Sequence, residues 1–223
     1  MAQLEQTQSV VLDPPAAARP NALVQQVLRV AWLSICLGLA LEVVLLVLAA
    51  FTGTAGDTPK PFISDLANKV SWSFIVCVGL AFGTTAGKAR EGIMGVLGLI
   101  SAPAGFTAAR AVHKAVNGAL GVAGKTMAPN LVLLVGGLKG LQYALFGVVL
   151  AWISKRAFGL KAYVAAGLAF GLTFGLAIVT TTVRASAAEV PAVDVAARCI
   201  NEVLFPVGCA LILYASGALA KRL

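Results

Sequence analysis

The feature that most constrains this sequence is a series of long apolar segments, each with the length of a membrane-spanning helix. The stretch 130–153 reads NLVLLVGGLKGLQYALFGVVLAWI and carries one full charge, at Lys139. About 20 consecutive apolar residues cross the hydrocarbon core of a bilayer as a helix. Only 12% of the residues are charged and the mean hydropathy is +0.91, whereas a soluble domain carries about 25% charged residues. We therefore predict an all-α, polytopic integral membrane protein.

Six segments of this kind predict six transmembrane helices packed as one bundle. We place the spans at about residues 30–51, 68–87, 92–109, 130–153, 162–183 and 199–219. The membrane domain is then expected to occupy residues 28–223. The preceding stretch, 1–27, is polar and contains three prolines, so we expect it to be a mobile tail.

Glycines recur at every fourth residue in several of these spans. Small residues at this spacing let two helix backbones approach closely. We expect helix contacts at Gly79, Gly83 and Gly87, at Gly136 and Gly140, and at Gly167, Gly171 and Gly175. The second and fifth spans also share a glycine-rich sequence, GLAFGTTAG at 79–87 and GLAFGLTFG at 167–175. We interpret this similarity as the same helix-packing motif occurring twice. The alternative interpretation is that the chain consists of two related three-helix halves.

Two charged residues fall well inside the spans. A charge at the centre of a bilayer costs about 2.5–3.5 kcal/mol on insertion scales, so each one needs a partner or water. Glu42 precedes the end of the first span by nine residues, and Lys139 follows the start of the fourth by nine. Both charges are then roughly 13–14 Å below the same membrane surface. We predict an intramembrane ion pair between Glu42 and Lys139.

Gln142 and Tyr143 share the face of the fourth span that carries Lys139. One interpretation gives these polar groups a structural role, as an ion pair and an interhelical hydrogen bond. The other gives them a role in a path or a binding site, because intramembrane ionisable residues often mark function. Glu42, Lys139, Gln142 and Tyr143 are the candidate functional residues.

Motifs of enzymes, cofactors and metals are missing from the sequence. There is no Walker loop, HExxH motif or GxSxG elbow. The four cysteines form no CxxC pair and His113 is the single histidine, so neither a metal site nor a cofactor is expected. An enzyme is therefore not favoured.

The net charge of +8 is dispersed over loops and helix ends. Positive charge in these places sets membrane topology and meets anionic lipid, so we expect no nucleic-acid partner. The expected partners are the lipid bilayer and other membrane subunits or a second copy of the chain. Nine Lys and Arg residues are expected on the side of the termini and seven on the other. The bias favours cytoplasmic termini in a bacterial cytoplasmic membrane.

After the third span, Arg110, His113 and Lys114 share one face, which predicts a cationic helix lying at the interface.

Two functions are compatible with this pattern. The first is a small transporter or channel-like permease, or the membrane subunit of a transport system, in which the charge pair gates or couples transport. The second is a non-transporting membrane subunit whose glycine faces dock partner helices in a larger complex. The sequence favours the first, because intramembrane charges often mark transport pathways.

Overall fold

The computed structural model describes residues 20–54, 60–85, 87–122, 127–186 and 189–220, and these ranges contain helices and no strand. The helices are α1 Pro20–Phe51, α2 Lys60–Thr84, α3 Arg90–Leu120, α4 Pro129–Lys155, α5 Leu160–Arg184 and α6 Ala192–Ala220. Each is long and apolar enough to cross a membrane. The prediction of an all-α membrane protein with six spans is confirmed.

The six helices form a closed ring in chain order. Each helix packs against the next one along the chain, and α6 returns to pack against α1. Because the connections are short, neighbours run antiparallel. The α3–α4 contact is as extensive as the α2–α3 contact. An internal relationship between two three-helix halves stays a prediction.

Three helices begin well before their predicted starts. Helix α2 begins at Lys60 and α6 at Ala192, eight and seven residues before the predicted starts. A proline lies at each of these two starts, Pro61 in α2 and Pro191 directly before α6. Proline is favoured there because the first N–H groups of a helix have no partner within the helix, so the missing proline N–H loses no hydrogen bond. Helix α1 begins at Pro20, inside the predicted tail, of which residues 1–19 lie outside the described ranges.

The predicted interfacial helix after the third span is part of α3 itself. Helix α3 continues without a break to Leu120, so Arg110, His113 and Lys114 extend the span. At 1.5 Å per residue a helix of 31 residues measures about 46 Å, which exceeds the hydrocarbon thickness of about 30 Å. His113 faces α2, with its Nε2 3.1 Å from Oδ1 of Asp65.

Close contacts at glycines bring α3 and α4 together. A Cβ atom on Gly147 would lie 2.5 Å from the carbonyl oxygen of Met94, and one on Gly98 would overlap the carbonyl oxygen of Tyr143. Neither position has room for a side chain. The two helices therefore meet backbone to backbone.

The predicted contact glycines divide into three groups. In α2 and α4, Gly79, Gly83 and Gly140 lie against α3, and in α5, Gly167, Gly171 and Gly175 lie against α6. Gly136 makes an ordinary contact, with Phe106 3.8 Å from an added Cβ. The prediction for Gly87 was wrong. Among the described residues other than its chain neighbours, none lies within 4 Å of a Cβ added to Gly87, and its φ of +59° shows that the chain turns there before α3.

Candidate functional site

A cavity of about 1010 Å³, which we call the vestibule, opens at one end of the bundle. At this end α2, α4 and α6 begin, whereas α3 and α5 finish, so it lies opposite the start of α1. The ionisable side chains that line it are Asp65, Lys69, Arg110, His113, Lys139, Glu189, Asp194, Arg198 and Glu202. The vestibule therefore has walls that suit water and ions, inside helices with the composition of membrane spans.

An ion pair between α4 and α6 lies in the wall of the vestibule. The Lys139 ammonium donates to both carboxylate oxygens of Glu202, at 2.8 and 2.7 Å. The two side chains are only 7% and 16% exposed. The ammonium also lies 4.7 Å from the ring centroid of Trp72 on α2. Three helices thus converge on one buried positive charge.

This pair lies deep within the membrane domain. Lys139 follows Pro129, the first residue of α4, by ten residues, and Glu202 follows Ala192, the first residue of α6, by the same number. Both residues are therefore about 15 Å along their helices from the vestibule end. Since α4 has 27 residues and α6 has 29, the pair lies about a third of the way along each helix.

A second ion pair joins α1 to α2 at a similar depth. Lys69 Nζ lies 2.5 Å from Glu42 Oε2, and the two side chains are 14% and 7% exposed. Glu42 lies nine residues before Phe51 at the end of α1, and Lys69 lies nine residues after Lys60 at the start of α2. Four buried charges consequently occupy nearly one level, about 13–15 Å from the vestibule end of their helices.

The predicted pair of Glu42 with Lys139 is not formed, since each residue binds another partner. Lys139 binds Glu202 and Glu42 binds Lys69. The prediction was wrong because it began α2 and α6 too late. With those starts, Lys69 counted as a residue of the membrane surface and Glu202 as one near it. The prolines that begin the two helices were the available signal.

Gln142 and Tyr143 lie behind the ion pair and do not line the vestibule. Tyr143 packs edge-on against Trp72, with ring centroids 5.7 Å apart, and Phe205 packs against Trp72 at 5.5 Å. Phe146 continues the cluster with its ring centroid 5.9 Å from that of Tyr143. We call Trp72, Tyr143, Phe146 and Phe205 the aromatic floor.

Gln142 connects α4 to an irregular part of α5. Residues Gly171–Gly175 form a π-helical turn, and Nε2 of Gln142 donates to the carbonyl oxygen of Phe170, 3.3 Å away, just before it. Its Oε1 is buried and has no hydrogen-bond partner among the described residues. Gly175 ends the turn directly against the backbone of Glu202. The π turn therefore lies beside the ion pair.

The centre of the bundle beyond the aromatic floor is filled by side chains. Val76, Leu80 and Leu150 are each at most 1% exposed. Cys77 and Cys209 are also buried there as free thiols, with their sulfurs 3.1 Å apart. The vestibule is thus separated from the opposite end of the bundle by aromatic and aliphatic packing.

The chemistry available in the vestibule is that of ion recognition. Over the residues that the structure describes, no group of three or more His, Cys, Asp or Glu side chains is placed to hold a metal ion. The buried pair offers a carboxylate, an ammonium and an aromatic face at one point. Groups of these kinds are used by proteins in general to recognise charged ligands.

Comparisons of the chain with protein-family models, with curated proteins and with solved structures found no match. The function is therefore argued from the geometry of the vestibule and the buried charges.

Proposed function

We propose that this protein is a small membrane transporter, or the membrane subunit of a transport system, that admits its substrate through the vestibule. The observation that carries the proposal is a cavity that reaches the buried Lys139–Glu202 pair, about 15 Å along α4 and α6 from the vestibule end. Transporters commonly bind their substrates near the midplane, where ionisable side chains line the path. The pair forms the inner gate of this path.

The packing below the gate favours an alternating-access mechanism and argues against a permanently open pore. The aromatic floor closes the vestibule, so passage requires the helices to move. Pro103 in α3 and Pro206 in α6 interrupt the helical hydrogen bonds, and the π turn in α5 does the same beside the gate. Helices tend to bend at such points.

The scaffold alternative relies on glycine faces that dock a partner protein. Gly83 and Gly140 contact α3, and Gly171 contacts α6, so these faces are occupied by helices of the same chain. The glycines therefore support a bundle whose own helices slide against one another.

The distribution of basic residues supports an orientation in the membrane. With Lys69 inside the membrane domain, nine basic residues belong to the side of the termini and six to the other. Positive charge marks cytoplasmic loops. We place both termini in the cytoplasm of a bacterial cell, with the vestibule open to the outside.

Thiol labelling with a membrane-impermeant maleimide tests the proposal in a variant that lacks the four native cysteines. Asn201→Cys, in the vestibule wall, should react from the side opposite the termini. Ser216→Cys, buried near the other end of α6, should react slowly and from the terminal side, because the bundle opens there in its alternate state. Val44→Cys on the outer face of α1 should not react, since lipid covers it.

Labelling of Asn201→Cys from both sides would indicate an open channel. Complete protection of Ser216→Cys would contradict alternating access. A stable partner that co-purifies with such a static bundle would support the scaffold instead.

A further inference from the structure

We propose that the inner end of the vestibule is a binding site for an organic ammonium ion, and that Lys139 occupies this site as a tethered substitute for the ligand. The inference deepens the proposed transport function, on which it rests for the ligand's route through the vestibule. It names the chemical class of the substrate.

The surroundings of the Lys139 ammonium are those of a cation site. Both oxygens of Glu202 accept hydrogen bonds from it, and the ring of Trp72 lies 4.7 Å away. A carboxylate neutralises an ammonium ligand, and the negative face of an aromatic ring attracts it. Phe205 lines the vestibule beside Trp72, with its ring 5.5 Å from that of Trp72. A substituted ammonium in this place would therefore meet the carboxylate of Glu202 and the ring of Trp72, and Phe205 supports that ring.

An anionic ligand fits the same position poorly. To bind Lys139 it would have to take the place of Glu202 and lie near the electron-rich face of Trp72. The backbone at Glu202 packs directly against α5, since its Cβ and carbonyl oxygen lie 3.0 Å from a Cβ added to Gly175. Its side chain is also shorter than that of Lys139, so we expect the lysine to be the partner that exchanges.

Lys139 is able to leave this site for water. Its four-carbon side chain is flexible, and both Lys139 and Glu202 line a vestibule of about 1010 Å³. The same cavity is lined by Glu189 and Asp194 together with basic side chains, so a displaced ammonium would still lie in a polar space. Exchange replaces one positive charge at Glu202 with another, so the buried carboxylate stays neutralised.

The test uses benzyltrimethylammonium as the probe and the fluorescence of Trp72 as the signal. Replacing Trp32 and Trp152 with Phe leaves Trp72 as the single tryptophan. In this background, Lys139→Met should bind the probe at least about tenfold more tightly. The reason is that the competing lysine side chain is removed, so a larger fraction of the protein molecules has a site free to bind the probe. Adding Glu202→Gln to Lys139→Met should abolish binding.

Lys155→Met is the control, because it removes a lysine from an ion pair that does not line the vestibule. It should change the affinity for the probe by less than about threefold, since Lys155 does not hold Glu202. An equal gain in Lys155→Met would assign the effect to general charge removal and overturn the proposal. Binding of benzenesulfonate by Glu202→Gln, with no gain for the ammonium probe in Lys139→Met, would assign the site to anions.

Two further measurements test the ammonium site if Lys139→Met does not fold. Lys139→Gln retains a hydrogen-bonding group and serves if Lys139→Met does not fold. If neither variant folds, the probe is tested on Asn201→Cys with Lys139 intact, where it should slow maleimide labelling more than benzenesulfonate does. Absence of this protection overturns the ammonium site. One-sided labelling of Asn201→Cys without any ammonium binding would refute the ligand class and leave the transport proposal standing.

Discussion

At the scale of single residues, burial separates the ion pairs of this protein into two kinds. The Lys139–Glu202 pair is nearly inaccessible, whereas Lys155 and Glu91, 3.3 Å apart near the opposite end of the bundle, are 63% and 34% exposed. Losing one partner of a buried pair leaves an uncompensated charge, whereas an exposed charge is solvated by water. Removing one lysine is the same chemical change in both pairs, but we expect it to lower stability much more at the buried pair than at the exposed pair.

Lys139→Met should destabilise the bundle much more than Lys155→Met. We expect a loss of about 3–5 kcal/mol for the buried pair and about 0–1 kcal/mol for the exposed pair. Thermal unfolding of the two purified variants in one detergent measures the difference. Equal melting temperatures would show that Glu202 is hydrated or neutral when Lys139 is absent.

At the scale of the helices, hydropathy predicted the number of spans better than the residues at which the helices begin. The stretch 60–67 lies outside the predicted second span because it is polar, yet it is helical and Asp65 within it lines the vestibule. Asn201 and Glu202 are expected at the start of the sixth span, yet they follow the first residue of α6 by nine and ten residues and line the vestibule. A helix that faces an internal aqueous cavity keeps its polar residues, so a hydropathy window ends too early there.

Glycine spacing was informative for contacts within helices and misleading at their ends. Gly79 and Gly83 lie against α3, whereas Gly87, at the same spacing, belongs to the turn that follows α2. Spacing alone does not reveal where a helix ends. It also does not reveal which neighbour a glycine face will meet, because this depends on the order of the helices in the ring.

Two glycines of α4 provide a direct test of backbone packing. Gly147→Val should lower the melting temperature strongly, since an added Cβ would lie 2.5 Å from the carbonyl oxygen of Met94. Overpacking of this kind costs about 1–3 kcal/mol, and more where backbone must move. Gly137→Val, where an added Cβ meets nothing within 4 Å, is the control and should be tolerated. Equal destabilisation would argue against the α3–α4 contact.

At the scale of the whole molecule, the ring of helices decides which charges meet. Depth was predictable from the sequence, because residues per span convert to distance along the membrane normal. Partner identity was not, since it also requires the order of helices around the ring and the true starts of α2 and α6. The structure pairs α1 with α2 and α4 with α6 at this level.

The six-span topology places consecutive loops on opposite membrane surfaces. In a variant without native cysteines, Thr54→Cys, which follows α1, and Gly159→Cys, which precedes α5, should each label from one side, and the two sides should be opposite. An impermeant maleimide applied to oriented vesicles measures this. Labelling of both positions from the same side would contradict the order of spans.

The identity of the partner of Lys139 is the claim on which the gate and the ligand site both depend, and a pair of double-mutant cycles measures it directly. Unfolding free energies are compared for Lys139→Met with Glu202→Gln and for Lys139→Met with Glu42→Gln. We expect a coupling energy of about 2–3 kcal/mol for Lys139 with Glu202 and less than about 0.5 kcal/mol for Lys139 with Glu42. Strong coupling to Glu42 and none to Glu202 would contradict the account.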